Sequence, residues 1–428
     1  MTEFDERAAR VPVATARQWQ RAHGQAAVDW MRSSGVAQRM FDDVRLAVEQ
    51  TVAWCVGGDP ERARRVLDQY PEVLANCDLL PFDEMEQALA YLILHLPDRY
   101  CRMFQVLERL LVAGRLPVGR SKRFAAVDIG AGPGPGIFAM RNFYAALAHY
   151  VSLHDPMWCV APLGYSRVVE RSQAMPRVMH YFAEHLVMAE QGRTAGGGGH
   201  DREPNPCAGE LDRSVPPFGA DDGDFSTWNV TEKHHAARQR LANQLAWEFD
   251  LDDVTAAREA AEELSGHPFR FALAGMMNFL TTADAIPRFS TALNNLMGGS
   301  LVQGGVVVVL GAVGGGYPEI YSQLDARAQD AHLELVEGFD EPLQAGHRAE
   351  ELTATRDLMR TIWANLEALA GDTTAVQDKL RQIGAADIFD DTIAFTLPTF
   401  RVRAYRQGQY RWRSKRPPRP TPPSSSGG

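Results

Sequence analysis

The 428-residue sequence lacks any long hydrophobic run. No stretch approaches the roughly 18 consecutive apolar residues that a membrane-spanning helix requires, so a membrane-embedded protein is not expected. The first twenty residues mix both charges and lack the roughly 7 to 15 apolar residues of a secretory signal. With 45% hydrophobic and 23% charged residues, the composition is that of a globular protein, and we expect it in the cytoplasm.

Cysteine is scarce and positive charge is in the minority. The cysteines are odd in number, contain no C-x-x-C pair and form no close cluster with histidine, so neither a disulfide framework nor a zinc or other metal site is predicted. They stand at positions 55, 77, 101, 159 and 207. The formal net charge of -10 argues against a chain that coats nucleic acid through its overall charge.

Helical patterns fill the first part of the chain and predict an N-terminal helical domain over 1–118. A last helix of this domain is expected after Pro97, with Asp98 as its N-cap and Gly114 at its end. The helices predicted before it are Val36–Cys55, one that starts at the N-cap Asp59, and Phe82–Leu96.

The rest of the chain predicts an α/β domain over 119–413. Apolar runs that begin at Phe124, Phe269 and Val306 alternate with helical segments, as expected for parallel strands covered by helices. We predict a mobile Gly-rich insertion at about 191–226 and a disordered Pro- and Ser-rich tail over 414–428. Further helices are predicted over Glu319–Leu335 and Glu350–Ala370, and a terminal β-hairpin with strands Thr392–Tyr405 and Gln409–Arg413.

The strongest chemical signal is a glycine-rich turn directly after the first predicted strand, with the sequence VDIGAGPG from Val127 to Gly134. Glycines at this place allow a sharp turn and the close approach of a ligand to the backbone. The spacing does not match the dinucleotide fingerprint G-x-G-x-x-G or the phosphate-binding G-x-x-x-x-G-K-[ST]. The structural alternative is a turn whose glycines serve only close packing of strand and helix.

This turn resembles the first motif of class I S-adenosylmethionine-dependent methyltransferases, which is an acidic residue, an apolar residue and G-x-G-x-G. The resemblance implies a Rossmann-like sheet flanked by helices. It also implies that the backbone of Gly130, Ala131 and Gly132 passes the methionine part of S-adenosyl-L-methionine, with Gly134 completing the motif and Asp128 near the cofactor's amino group. A carboxylate suits a cationic ligand without phosphate.

Two more residues are predicted to bind the cofactor. A second carboxylate is expected at the end of the next strand, where it accepts hydrogen bonds from ribose hydroxyls. Glu170 fits this position, with Asp155 as the alternative, and a solvated glutamate at a helix start is the structural explanation. Asn278 follows a predicted strand and could contact cofactor or substrate, or serve as a turn residue. Gly314–Gly316 and Tyr317 follow the next strand and could line the same crevice.

Taken together, segments at 127–134, 169–175, 276–280 and 311–321 look like the methyltransferase-like family of ribosomal small-subunit assembly proteins. The methyltransferase resemblance implies transfer of a methyl group to an oxygen, nitrogen or carbon atom. The family resemblance favours rRNA as the acceptor, whereas the net negative charge and the N-terminal helices, which could close over a small acceptor, favour a small molecule. No general base and no oligomeric state is predicted. The alternative is a non-catalytic ribosome-assembly or RNA-binding factor that retains the fold. A nicotinamide enzyme is disfavoured because the turn lacks the required glycine spacing.

A basic stretch near the C-terminus bears on the choice of acceptor. The segment Arg401–Arg419 has eight basic residues, no acidic residue, and three interleaved aromatic residues. Such a segment could follow an RNA backbone and stack on bases. An edge hairpin that uses charge to prevent aggregation would explain the arginines equally well.

Overall fold

A computed structural model describes residues 13–77, 80–118, 125–155, 158, 160, 165–170, 172–195, 227–228, 271–339, 341–344, 349–385 and 399–407. The helices within these residues are α1 (Val13–Ser33), α2 (Val36–Val56), α3 (Pro60–Asn76), α4 (Met85–Val112), α5 (Pro135–His154), α6 (Ala174–Ala195), α7 (Ala285–Arg288), α8 (Ser290–Gly299), α9 (Tyr317–Asp330), α10 (Ala349–Ala370) and α11 (Thr374–Gln382). The strands are β1 (Ala125–Ile129), β2 (Tyr165–Val169), β3 (Thr227–Trp228), β4 (Phe271–Met277), β5 (Leu301–Gly311), β6 (Leu333–Leu335), β7 (Leu343–Gln344) and β8 (Thr399–Gln407).

The chain is an α/β protein with a mixed sheet flanked by helices. The strand order is β3-β2-β1-β4-β5-β8-β6, and β7 pairs with the far end of β8. Strands β2, β1, β4 and β5 run parallel, and the apolar runs of β1, β4 and β5 predict this arrangement. The order reverses between β1 and β4, because the chain first extends the sheet on one side of β1 and then returns to the other side. Ligands of open α/β sheets bind at such a reversal.

The two faces of the sheet are covered by different helices. Alternate β1 residues divide between two hydrophobic clusters: Ala126 belongs to a large cluster with α1–α6 and α10, and Val127 and Ile129 belong to a smaller one with α8 and α9. Since Ala126 and residues of α1–α4 lie in the same cluster, the boundary predicted at 118/119 does not separate two hydrophobic cores among the described residues.

One predicted helix boundary is wrong. Pro97 lies inside the continuous helix α4, and Asp98 forms an ion pair with Arg102 at 2.6 Å instead of capping a new helix. Proline removes one backbone hydrogen bond from a helix, and burial of most of α4 offsets that cost. Asp59 caps α3 through the N–H groups of Glu61 and Arg62, as predicted.

The segment predicted as one helix over Glu319–Leu335 ends at Asp330, and Leu333–Leu335 forms strand β6. β8 does not lie at the edge expected for a terminal hairpin, because it pairs with β5 on one side and with β6 and β7 on the other. The predicted second hairpin strand (409–413), the tail (414–428) and most of the insertion (196–226) lie outside the described residues.

In the part of the chain that the structure describes, no helix has both the length and the apolar character needed to cross a bilayer.

Candidate functional site

The predicted site residues meet at one edge of the sheet. Gly130, Glu170 and Asn278 each come after the last residue of β1, β2 and β4, which are neighbours in the sheet. Because Ile129 is in register with Val169, the carboxyl ends of β1 and β2 lie at the same level. They border a cleft of about 330 Å³, within the size range of small-molecule sites.

The glycine-rich turn after β1 is tightly packed. Gly130 and Gly132 have φ values of 66° and 56°, in the left-handed region that favours glycine. A Cβ on Gly130 would lie 2.7 Å from Cδ2 of Phe279, and a Cβ on Gly132 would lie 3.4 Å from Cε1 of Tyr91. Both glycines border the cleft, and a side chain on Gly130 would displace an aromatic ring.

Glu170 binds the turn directly. Its Oε2 accepts a hydrogen bond of 2.6 Å from the N–H of Gly132, and its Oε1 accepts one of 2.9 Å from the N–H of Ser172. A carboxylate oxygen has more than one lone pair, so one hydrogen bond from the backbone does not saturate it. Glu170 is half-buried and lines the cleft, which leaves its charge accessible to a ligand.

The turn has little capacity to bind an anion, because its backbone donors are already used. The N–H groups of Gly130 and Ala131 bind the carbonyl of Val169, and that of Gly134 binds the carbonyl of Ala131. The N–H of Gly132 binds Glu170. A pyrophosphate would have to displace these bonds and approach a carboxylate.

Asp128 is not beside the cleft. Its side chain is fully buried below the turn, where Oδ2 accepts a hydrogen bond of 3.1 Å from the N–H of Ile137 in the first turn of α5. Burial, reinforced by the charge of Glu170, raises the pKa of Asp128 to about 7, although the bond from Ile137 acts in the opposite direction. Asp128 therefore binds the N-terminus of α5 and does not line the cleft.

Aromatic side chains form the walls of the cleft. Tyr91 of α4 packs edge-on against Phe82 with ring centroids 5.0 Å apart, and the guanidinium of Arg99 lies 4.7 Å from the Tyr91 ring centroid. Phe279 and Phe289 also pack against each other, with ring centroids 5.1 Å apart. All five border the cleft, which combines flat apolar surfaces with the polar groups of the turn.

Asn278 has a φ of 49°, a left-handed conformation that asparagine tolerates better than most residues. Its backbone N–H donates to the carbonyl of Leu310 at 2.9 Å, which ties the end of β4 to β5. The side chain borders the cleft.

Among the predicted cofactor residues, the four that border the cleft are Gly130, Gly132, Glu170 and Asn278. The other three, Asp128, Ala131 and Gly134, lie behind it as parts of the turn. Asp155 does not border the cleft, and its carboxylate accepts a hydrogen bond of 2.9 Å from Nε1 of Trp19. Gly314–Gly316 and Tyr317 are also absent from the cleft lining, since the Tyr317 ring packs where a side chain on Gly311 would lie.

Sequence reasoning missed the aromatic walls and Cys77, which also borders the cleft. Phe279 could have been found, because it follows Asn278 directly at the end of β4. Tyr91 and Arg99 gave no signal, since they reach the cleft only through the packing of α4 on the sheet. In the described ranges, no three His, Cys, Asp or Glu side chains come together as metal ligands.

Comparison of the chain with models of known protein families, with curated proteins and with solved structures found no match.

Proposed function

We propose that the cleft binds S-adenosyl-L-methionine and that the chain is a methyltransferase with the Rossmann-like sheet of the class I enzymes. One observation carries the proposal: a glycine turn and the carboxylate of Glu170 lie together at the carboxyl ends of β1 and β2, next to the reversal of strand order. This is where a nucleoside ligand of an open α/β sheet binds.

The glycine turn favours a nucleoside without phosphate over a dinucleotide. The turn offers a carboxylate and no unused N–H group among Gly130, Ala131, Gly132 and Gly134, so it suits ribose hydroxyls better than phosphate. The aromatic walls provide apolar surfaces on which an adenine ring can pack.

When bound, the cofactor supplies an electrophilic methyl group, which a substrate atom attacks in line as the bond from carbon to sulfur breaks. The chain's own contribution is to position the two partners and exclude water. Glu170 holds the turn and is placed to bind the ribose. Tyr91 and Phe279 line the cleft next to Gly132 and Gly130, respectively. No described side chain is assigned as a general base.

The acceptor belongs to one of two classes, a small molecule or rRNA. A second candidate function is a non-catalytic assembly or RNA-binding factor with the same fold. The packing of Phe279 on Gly130 favours it, because glycine is then required by the fold even without a ligand. RNA binding without methyl transfer from bound S-adenosylmethionine would identify this second function.

Glu170→Gln tests the proposed binding site. The amide keeps the shape but places an N–H group opposite one of the backbone donors, and it removes the charged acceptor for ribose. We expect the affinity for S-adenosylhomocysteine, measured by isothermal titration calorimetry, to fall by roughly 10- to 100-fold, as for loss of a hydrogen bond to a charged group.

Glu319→Gln is the matched control, because Glu319 is exposed on α9 and its carboxylate accepts a hydrogen bond from Gln323 of the same helix. Its affinity should equal that of wild type. Circular dichroism establishes that both variants are folded at the titration temperature. Equal affinities for Glu170→Gln and wild type would contradict the assignment of Glu170.

A further inference from the structure

Arginines from three distant parts of the chain meet on the surface. Arg17 and Arg21 belong to α1, Arg115 follows the end of α4, and Arg406 lies on β8. We call these four residues the arginine cluster. They come close because the chain turns at Gly114, where a Cβ would lie 3.1 Å from Cγ of Arg21 and 3.4 Å from Cγ of Arg17.

Few negative charges balance the cluster. Glu334 stands opposite Arg406 in the register of β6 and β8, and its Oε2 lies 3.6 Å from Nη1 of Arg406 and 3.8 Å from Nη1 of Arg115. The Glu334 side chain is 55% exposed, so solvent weakens both ion pairs. Glu337 is the other carboxylate that acts on Arg17. Four guanidinium groups and two carboxylates leave a local charge of about +2.

The cluster also has unused hydrogen-bond donors. Nε of Arg17 and Nη1 of Arg115 are buried and have no hydrogen-bond partner among the residues that the structure describes. Burial and the charges of Arg115 and Arg21 lower the pKa of Arg17, while burial and Arg17 lower the pKa of Arg406. Both observations indicate guanidinium groups that a bound anion would stabilise.

We propose that the arginine cluster is a binding site for a phosphate group, carried by a phosphorylated small molecule or by the backbone of a nucleic acid. Guanidinium groups bind phosphate through paired N–H groups, and several of them can surround its oxygens. Five more basic residues and no acidic residue follow β8 in positions 408–419, so the chain adds positive charge directly after Arg406.

This site is separate from the cleft. Tyr91 lines the cleft near the start of α4, whereas Arg115 follows its end, and the 22 residues from Tyr91 to Val112 span roughly 30 Å of helix. The proposal therefore does not depend on methyl transfer.

The test measures binding of inorganic phosphate by calorimetry and of a labelled 12-nucleotide single-stranded RNA by fluorescence anisotropy, both at low salt. We expect Arg17→Gln and Arg115→Gln each to weaken binding by roughly tenfold. Arg381→Gln is the control, because it removes one charge from an exposed arginine that pairs with Asp378 on α11. This variant should bind as wild type does.

Glu334→Gln separates loss of a site from loss of folding. This variant removes the carboxylate that competes for Arg115 and Arg406, so it should bind the same probes more tightly than wild type. A misfolded variant would not show tighter binding.

Comparison of phosphate binding with RNA binding identifies the kind of molecule that carries the phosphate group. Much tighter binding of the RNA than of phosphate, with an affinity that falls steeply with salt, would indicate a nucleic-acid backbone. Saturable binding of phosphate without tighter binding of RNA would indicate a phosphorylated small molecule. No binding of either probe, or equal effects of Arg115→Gln and Arg381→Gln, would overturn the proposal.

Discussion

At the scale of single residues, the two carboxylates next to the glycine turn have different tasks. Glu170 is half-buried and accepts hydrogen bonds from two backbone N–H groups at the cleft. Asp128 is fully buried, and its Oδ1 has no hydrogen-bond partner within the described part of the chain. Glu170 can therefore contact a ligand, whereas Asp128 connects β1 to the start of α5.

The buried position of Asp128 predicts a pH dependence of stability. Its pKa is raised to about 7 in the folded protein, against an ordinary value of 3.8. Between these values the folded state holds a proton that the unfolded state releases, so this group's contribution to stability is lost as pH rises towards 7. Asn at this position does not titrate.

We therefore compare the free energies of unfolding of wild type and Asp128→Asn in urea at pH 5 and pH 7. Taking the difference cancels the titration of the other acidic residues. Relative to the variant, wild type should lose on the order of 2 kcal/mol between the two pH values. A difference that does not change with pH would show that Asp128 is ionised at both.

At the scale of elements, the turn after β1 is predicted to be needed for ligand binding as well as for packing. Gly132→Ala and Gly58→Ala both place a Cβ on a residue with left-handed φ, 56° and 74° respectively, and should cost similar stability, about 1 kcal/mol. Only the Cβ at position 132 would point at Tyr91 in the cleft, since nothing lies within 4 Å of one at Gly58.

Titration with S-adenosylhomocysteine should therefore show weaker binding for Gly132→Ala and unchanged binding for Gly58→Ala. If both variants bind as wild type does, the turn after β1 does not contact the ligand, and its glycines are needed only for the packing of the fold.

Local sequence signals predicted the elements around the site well. The strand that ends at Ile129, the glycine turn and α5 follow from an apolar run, three glycines and helical spacing, and each is confirmed. The helix boundary predicted at Pro97 and the helix predicted through Leu333 are wrong, because tertiary packing determines the secondary structure at both places. Burial keeps α4 continuous through Pro97, and pairing with β8 makes Leu333–Leu335 a strand.

At the scale of the whole molecule, the N-terminal helices belong to the structure of the site. α4 supplies Tyr91 and Arg99 to the cleft, and residues of α1–α4 share a hydrophobic cluster with Phe138 of α5 and Phe182 of α6. These long-range contacts explain why sequence reasoning found the glycine turn and Glu170 but not the aromatic walls.

Removal of the predicted N-terminal domain tests this dependence. A chain that starts at residue 119 would expose the apolar residues of α5 and α6 that pack on α2 and α4. We expect it to lose near-ultraviolet circular dichroism and cooperative thermal unfolding. Cooperative unfolding together with retained binding of S-adenosylhomocysteine would instead show that 119–428 is an independent domain.

We propose that the cleft binds S-adenosylmethionine and not a dinucleotide. Calorimetric titration of the wild-type protein with S-adenosylmethionine, and in parallel with NAD, tests it most directly. The arrangement of Glu170 and the occupied N–H groups of the turn predicts saturable binding of S-adenosylmethionine and none of NAD. Binding of NAD, or no binding of S-adenosylmethionine by the folded protein, would rule out the proposed cofactor site.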